Sequence, residues 1–291
     1  MDNMDEIYLS EEIITEETFS HNIKVSKVEV TPDEHFERLD KPVGNYITVE
    51  FPMDVNTAEL YEDLVTVTTD KLRALMNLKP TDSVLVVGIG NRNILADSFG
   101  PRTVDKVEVT THLIERGRSE LRAVNAICPG TTGQTGLVTL RIIQALVKEV
   151  NPSCVIVVDA ICTDDLERMA TTIQMNDTGI SPGLGLGMAQ TKINKDSLGV
   201  PVYAIGVPTV VEVASIMIGC FEALGAGGIS VTSILGEDEV EDIIRHAMKD
   251  VPNGDAVLAL KDVEYVINNL SEVIAQAINH VLLGEAYGEL Y

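Results

Sequence analysis

The 291-residue chain has no tryptophan and only 4% aromatic residues, so it offers no row of stacking surfaces for nucleic-acid bases. Basic residues are scarce as well: 21 lysines and arginines stand against 45 aspartates and glutamates, a net charge of −24. Such a field repels phosphates and anionic headgroups, which argues against direct nucleic-acid binding and against a membrane surface. The four cysteines, Cys128, Cys154, Cys162 and Cys220, form no CxxC pair, and all but Cys162 lie in apolar segments, as reduced core thiols do. HExxH is missing and the histidines stand singly, so zinc chemistry lacks its usual signature. The opening "MDNMDEIYLSEEIITEE" carries no basic-then-apolar leader, and a cytoplasmic protein is the expectation. The most membrane-like stretch, "VASIMIGCFEALGAGGISVTSIL", is broken by Glu222 and several glycines and reads as a buried helix entering a loop.

What is present is an apolar content of 45%, ample for a substantial core. Residues 1–21 are acidic and poor in large apolar side chains, and are expected to be a mobile segment and a candidate propeptide. Residues 22–291 read as a single domain. Strands are expected at "NYITVEF", "SVLVVGIG", "AVNAIC", "SCVIVVDA", "ATTIQMND" and "PVYAIGVP", alternating with helices near 56–78, from Pro101, over "LVTLRIIQALVKEV", over "TVVEVASIMIGCFEAL" and over "KDVEYVINNLSEVIAQAINHVL". Strands that are apolar almost throughout, alternating with helices, imply an α/β fold with a mostly parallel sheet and helices on both faces, a phosphorylase/hydrolase-like arrangement.

Ligands of such sheets gather at the carboxyl ends of the strands, where two acids fall. Asp97 follows the glycine turn of "VVGIGNRNILADSFGP", and Asp159 ends the apolar run "CVIVV". A carboxylate at the end of a central strand loses water, which raises its pKa, and a second acid nearby would make the two share a proton. Such a pair can activate water with one member and protonate a carbonyl or an amine with the other. Each aspartate taken alone is equally a helix cap or Asx-turn former. Asn91 is a candidate supporting residue, or a left-handed turn position; Asp177 in "NDTGISPG" is a candidate substrate-binding or supporting residue, or a turn former. The turn "TTGQTG" could present backbone N–H groups to an oxyanion. Cys162 lacks a nearby histidine and is a poor nucleophile candidate. No metal ligand set and no cofactor are expected, and no complete dinucleotide fingerprint or P-loop appears.

The blocks "VVGIGNRNILADSFGP", "AICPGTTGQTG", "VIVVDAI", "LERMATTIQMNDTGISPG" and "LGVPVYAIGVPTVVE", in this order, make the chain resemble the germination proteases of spore-forming bacteria. The resemblance implies an endopeptidase that degrades small acid-soluble spore proteins in the spore core, on a fold like that of the hydrogenase maturation proteases. It implies an atypical aspartic mechanism with catalytic groups at Asp97 and Asp159, a zymogen that removes its own N-terminal segment, and a homotetramer. Ser181 stands where the family commonly has a histidine before Pro-Gly, which favours the metal-free reading. The competing readings are a metal-dependent maturation-type peptidase using Asp97, Asp159 and Asp177, a non-catalytic nucleotide-binding module, and an inactive relative.

Overall fold

The structure, a computed structural model, describes residues 14–31, 41–53, 57–182, 192–226, 237–254 and 256–289. Its parallel half is built around the strand "VLVVG", β4 (Val84–Gly88), in which every residue is buried. It lies between β5 (Val124–Ile127) and β6 (Cys154–Thr163), both parallel to it, and β6 in turn pairs in parallel with β8 (Val202–Glu212).

Beyond β8 the sheet changes character. β7 (Thr172–Asn176) runs antiparallel to β8, and the antiparallel pattern continues through β3 (Gly44–Glu50), β2 (Lys24–Val30) and β1 (Ile14–Thr18). A short β9 (Val257–Ala259) pairs antiparallel with the far end of β8. The nine strands therefore form one mixed sheet, with the expected parallel arrangement on one side and an antiparallel extension on the other. "KVSKVEV" and "GNYITVE" alternate polar and apolar residues, as strands with one buried face do.

Helices cover both faces of the parallel half. On one face lie α1 (Ala58–Met76), α2 (Phe99–Val104) and α6 (Val263–Leu283), where Leu64, Leu72, Phe99, Ile267 and Ile274 are fully buried against Val84, Val86, Ile156 and Val158. On the other lies α3 (Thr139–Val150), whose Ile143 and Val147 pack on Leu85, Val87, Val155 and Val157. Burying each such side chain contributes about 1.5–3 kcal/mol, so this double layer carries most of the fold's stability. Thr57 caps α1 by accepting from the Leu60 N–H, and Asn77 and Asn151 end α1 and α3 in left-handed conformations. Two further helices, α4 (Val213–Ala226) and α5 (Glu237–Asp250), pack on each other through Ala214, Ile244 and Met248.

Three expectations are corrected. Residues 1–13 of the segment expected to be mobile lie outside the described residues, but Ile14–Thr18 is an edge strand, because its β-branched residues find a partner in β2. β6 does not stop at Asp159; pairing with β8 carries it four residues further, to Thr163, with an irregularity between Ile161 and Cys162. The helix expected from Thr209 starts at Val213, since the β-branched run Thr209–Val211 stays in the sheet, paired to β6 and, from Val210, also to β9. Among the described residues no helix is long and apolar enough to cross a membrane.

Candidate active site

Asp159 sits two-thirds of the way along β6, only 5% exposed, between the buried Val158 and the half-buried Ala160. Val155 and Val157 point to the α3 face, and alternation along the strand sends Asp159 the same way. Burial pushes its carboxyl well above the usual carboxylate range, the nearby charge of Asp97 pushes in the same direction, and a hydrogen bond from the Ala160 N–H opposes them.

Asp97 arrives from the neighbouring strand. The chain leaves β4 through Gly90, whose φ of +128° suits glycine and where a Cβ would meet the Asp97 carbonyl oxygen at 2.0 Å. The loop then folds back through a 3-10 turn, Leu95–Asp97, closed by the Asp97 N–H to Ile94 and by the Ser98 hydroxyl on the Leu95 carbonyl at 2.7 Å. Thr209 of β8 donates to the Ala96 carbonyl at 2.8 Å, fixing the turn over the strand ends. Behind it, Gly100 lies against the sheet so closely that a Cβ would stand 2.3 Å from the Ile89 carbonyl and 2.4 Å from that of Val158.

The following segment is clamped from outside. Lys106 reaches the Ser271 hydroxyl at 3.0 Å and the Glu272 carboxylate at 2.9 Å on α6, and buried Asn279 accepts from the Glu108 N–H at 2.9 Å.

Burial also raises the Asp97 carboxyl, but the Asn91 N–H, donating to it at 2.8 Å, stabilises its charged form. Asp159 is the more deeply buried of the two and is raised the further, whereas the amide donor favours the ionised form of Asp97. That is the order expected when Asp97 ionises first, while Asp159 still holds its proton. One of the two acids is thus suited to accept a proton and the other to donate one.

Asn91 holds this arrangement together. Its backbone binds Asp97, its side-chain oxygen accepts from the Asn93 N–H at 2.9 Å, and the same oxygen accepts from the Gln134 amide at 2.5 Å. Gln134 belongs to the "TTGQTG" turn, which forms a one-turn helix, Thr132–Thr135. In this structure the turn braces the Asp97 loop through the Gln134 side chain, a role that the sequence offered no spacing rule to find.

Asp177 is placed elsewhere. Because β7 is antiparallel to β8 and Asn176 pairs with Ala204, Asp177 lies about 10 Å from the level of Asp159 toward the amino ends of the parallel strands. Both its oxygens are occupied, by the Asn45 N–H and by the Asn45 amide at 2.8 Å each, so it ties β7 to β3. Among the described residues no three His, Cys, Asp or Glu side chains converge as a metal-binding group. With Asp177 held by Asn45, Asp97 and Asp159 are two of the three acids that a metal-dependent peptidase would use here. Cys162 is no better placed for nucleophilic chemistry: burial and the neighbouring Glu212 and Asp164 push its thiol up to about 11.

A sequence profile of the germination protease peptidases matches residues 2–224. The germination protease of Clostridium perfringens is 35% identical over 286 residues, covering 93% of this chain and 87% of that protein. The germination protease of Caldanaerobacter subterraneus is 36% identical, covering 89% of this chain and 85% of that one. The chain belongs to the germination protease family. As a member of that family it is a protease. Among solved structures, the [NiFe] hydrogenase maturation protease HycI of Thermococcus kodakarensis covers 72% of this chain and 98% of its own, at a TM-score of 0.35 and 14% identity.

Proposed function

We propose that this protein is an endopeptidase that hydrolyses small acid-soluble spore proteins during germination, with Asp97 and Asp159 dividing the acid–base work. The observation that carries this reading is the burial of Asp159 on β6 within electrostatic reach of Asp97, whose carboxylate accepts from the Asn91 N–H. Ionised Asp97 takes a proton from water as its oxygen attacks the scissile carbonyl. Asp159 gives its proton to the carbonyl oxygen, and the proton held by Asp97 then passes to the leaving nitrogen as the C–N bond breaks. The tetrahedral intermediate returns the other proton to Asp159 as the new carboxyl forms, which restores the pair.

Family membership supports the substrate class, since germination proteases share most of the chain with this one. Residues 1–21 as a propeptide, a single peptidase domain over 22–291, assembly as a homotetramer, absence of a direct nucleic-acid partner and residence in the spore core belong to the same reading.

The test uses purified protein and a purified small acid-soluble spore protein. Asp97→Asn and Asp159→Asn each reduce kcat by about a thousandfold, while the melting temperature is not lowered. A chelator leaves the wild-type rate unchanged. Full activity in either variant refutes the acid pair, and chelator-sensitive activity restored by a divalent ion transfers the reaction to a metal.

A further inference from the structure

The ladder between β6 and β8 slips at one step. Asp159 pairs with Gly206, Ala160 with Val207 and Ile161 with Pro208, but Cys162 pairs with Val210 and Thr163 with Val211. Thr209 therefore has no partner in β6 and is the extra residue of a β-bulge. Such bulges gather beside active sites, because they release one side chain from the regular alternation and re-aim it. Pro208, just before it, is in keeping with this: β8 is flanked by β6 and β7, and a proline inside a flanked strand belongs at a bulge, where a ladder donor is missing anyway.

The released side chain turns inward. Thr209 is only 2% exposed, and its hydroxyl donates to the Ala96 carbonyl at 2.8 Å. That carbonyl shares its peptide unit with the Asp97 N–H, which donates to the Ile94 carbonyl at 3.0 Å. Thr209 and Ile94 thus hold the two ends of one rigid peptide plane, and that plane sets where the Asp97 Cα stands. The other hydrogen bonds around the turn stay within the loop: the Asn91 N–H on the Asp97 carboxylate, and the Ser98 N–H and hydroxyl on the Leu95 carbonyl. Among the described residues, the bond from Thr209 is the one that joins the Leu95–Asp97 turn to the sheet. Ile94 and Leu95, on the same turn, are exposed, so the anchor comes from the buried side. Three residues along β8, about 10 Å, separate Thr209 from Gly206, the residue opposite Asp159.

Resting on the acid pair proposed above, we propose that Thr209 is a positioning residue for the reaction: the bulge in β8 aims its hydroxyl at the Asp97 turn and so fixes Asp97 against the sheet that carries Asp159. The residue type fits this task. Its hydroxyl satisfies the Ala96 carbonyl, and branching at Cβ both suits the extended backbone and stiffens χ1, which keeps the donor pointing one way. Thr209 exchanges no proton with the substrate and acts through the geometry of Asp97. A misplacement of about 1 Å at a reacting group costs about a hundredfold in rate, whereas one neutral hydrogen bond shifts a folding equilibrium by only about two- to tenfold. Rate and stability therefore report different things at this position.

The test compares Thr209→Val, which keeps the shape and loses the donor, with Thr209→Ser, which keeps the donor. Both are assayed on a purified small acid-soluble spore protein, well below the lowest melting temperature of the set. Thr209→Val lowers kcat by about ten- to a hundredfold and leaves KM within about twofold. Thr209→Ser returns kcat to within about threefold of the wild type. Added to Asp97→Asn, Thr209→Val costs nothing further, because the group it places is already disabled. Wild-type kcat in Thr209→Val overturns the proposal, as does a Thr209→Ser as slow as Thr209→Val, which would assign the loss to packing. A further loss on top of Asp97→Asn overturns it too. An inactive Asp97→Asn beside a fully active Thr209→Val removes the positioning role alone. A fully active Asp97→Asn removes the acid pair, and the positioning role with it.

Discussion

The two halves of the sheet solve the same problem differently. In the parallel half, β4 and β6 are buried on both faces, and their sequences are apolar at every position until the chemistry begins. In the antiparallel half, β2 and β3 bury one face and leave the other half-exposed. The doubly covered half can hold an acid such as Asp159 away from water and so change its protonation. The strands of the other half keep polar side chains on their second face. Asp159 lies on β6, one strand inside the parallel half from the junction of β8 with β7.

Core truncations give the largest effect that this contrast predicts. Leu85→Ala and Ile156→Ala, on opposite faces of the parallel half, should each cost about 2–5 kcal/mol of unfolding free energy. In the antiparallel half only the inward side should behave so: Ile173→Ala falls in the same range of about 2–5 kcal/mol, whereas the outward Ser26→Ala stays within about 0.5 kcal/mol. Denaturant titration of the four variants measures this, and a large loss in Ser26→Ala would mean that the polar face is covered.

The next effect is a pH dependence. In the unfolded chain Asp159 titrates near 3.9, whereas in the fold burial and the Asp97 charge hold it well above that. The neutral, buried acid therefore stabilises the fold fully below the unfolded value, and this contribution is lost as pH rises through the folded one. Asp97, also raised, adds to the same trend. Asp159→Asn stays neutral throughout, so its melting temperature should gain on that of the wild type as pH rises across this window. A constant difference between the two melting curves would show that Asp159 is ionised in the fold.

The smallest effect concerns the thiols. Cys154, buried in the parallel half, has its pKa pushed up to about 12, and half-buried Cys162 is pushed up to about 11. Exposed Cys220 should therefore be alkylated first near neutral pH and Cys154 last, followed by mass spectrometry of timed samples. Early modification of Cys154 would show that the doubly covered layer opens readily.

The parallel half was the more legible part of the sequence. Runs such as "VLVVG" and "CVIVV" admit few alternatives, and the spacing of Ile267, Leu270, Ile274 and Ile278 announces α6. The candidate acids were legible for the same reason, since polar residues stand out where such runs end. The antiparallel half was harder to read. The charged alternation of β2 resembles a surface loop until β1 and β3 flank it, and β1 depends on that pairing. The placement of Asp177 was lost in the same way. Nothing in "ATTIQMNDTG" says that β7 reverses direction, and this reversal carries its last residues to the opposite end of the sheet from Asp159. Gln134 was invisible because its role depends on a contact between segments far apart in the chain.

The close seating of Gly100 on the carbonyls of Ile89 and Val158 has a consequence for how this enzyme could be altered. The peptide unit at Gly100, three residues after one acid, rests directly on the strand that bears the other, so main chain as well as side groups sets their spacing. Engineering of the surrounding loops would therefore leave this contact in place as long as it kept the Gln134 brace on Asn91. A single methyl placed at that seam would prise the centre apart.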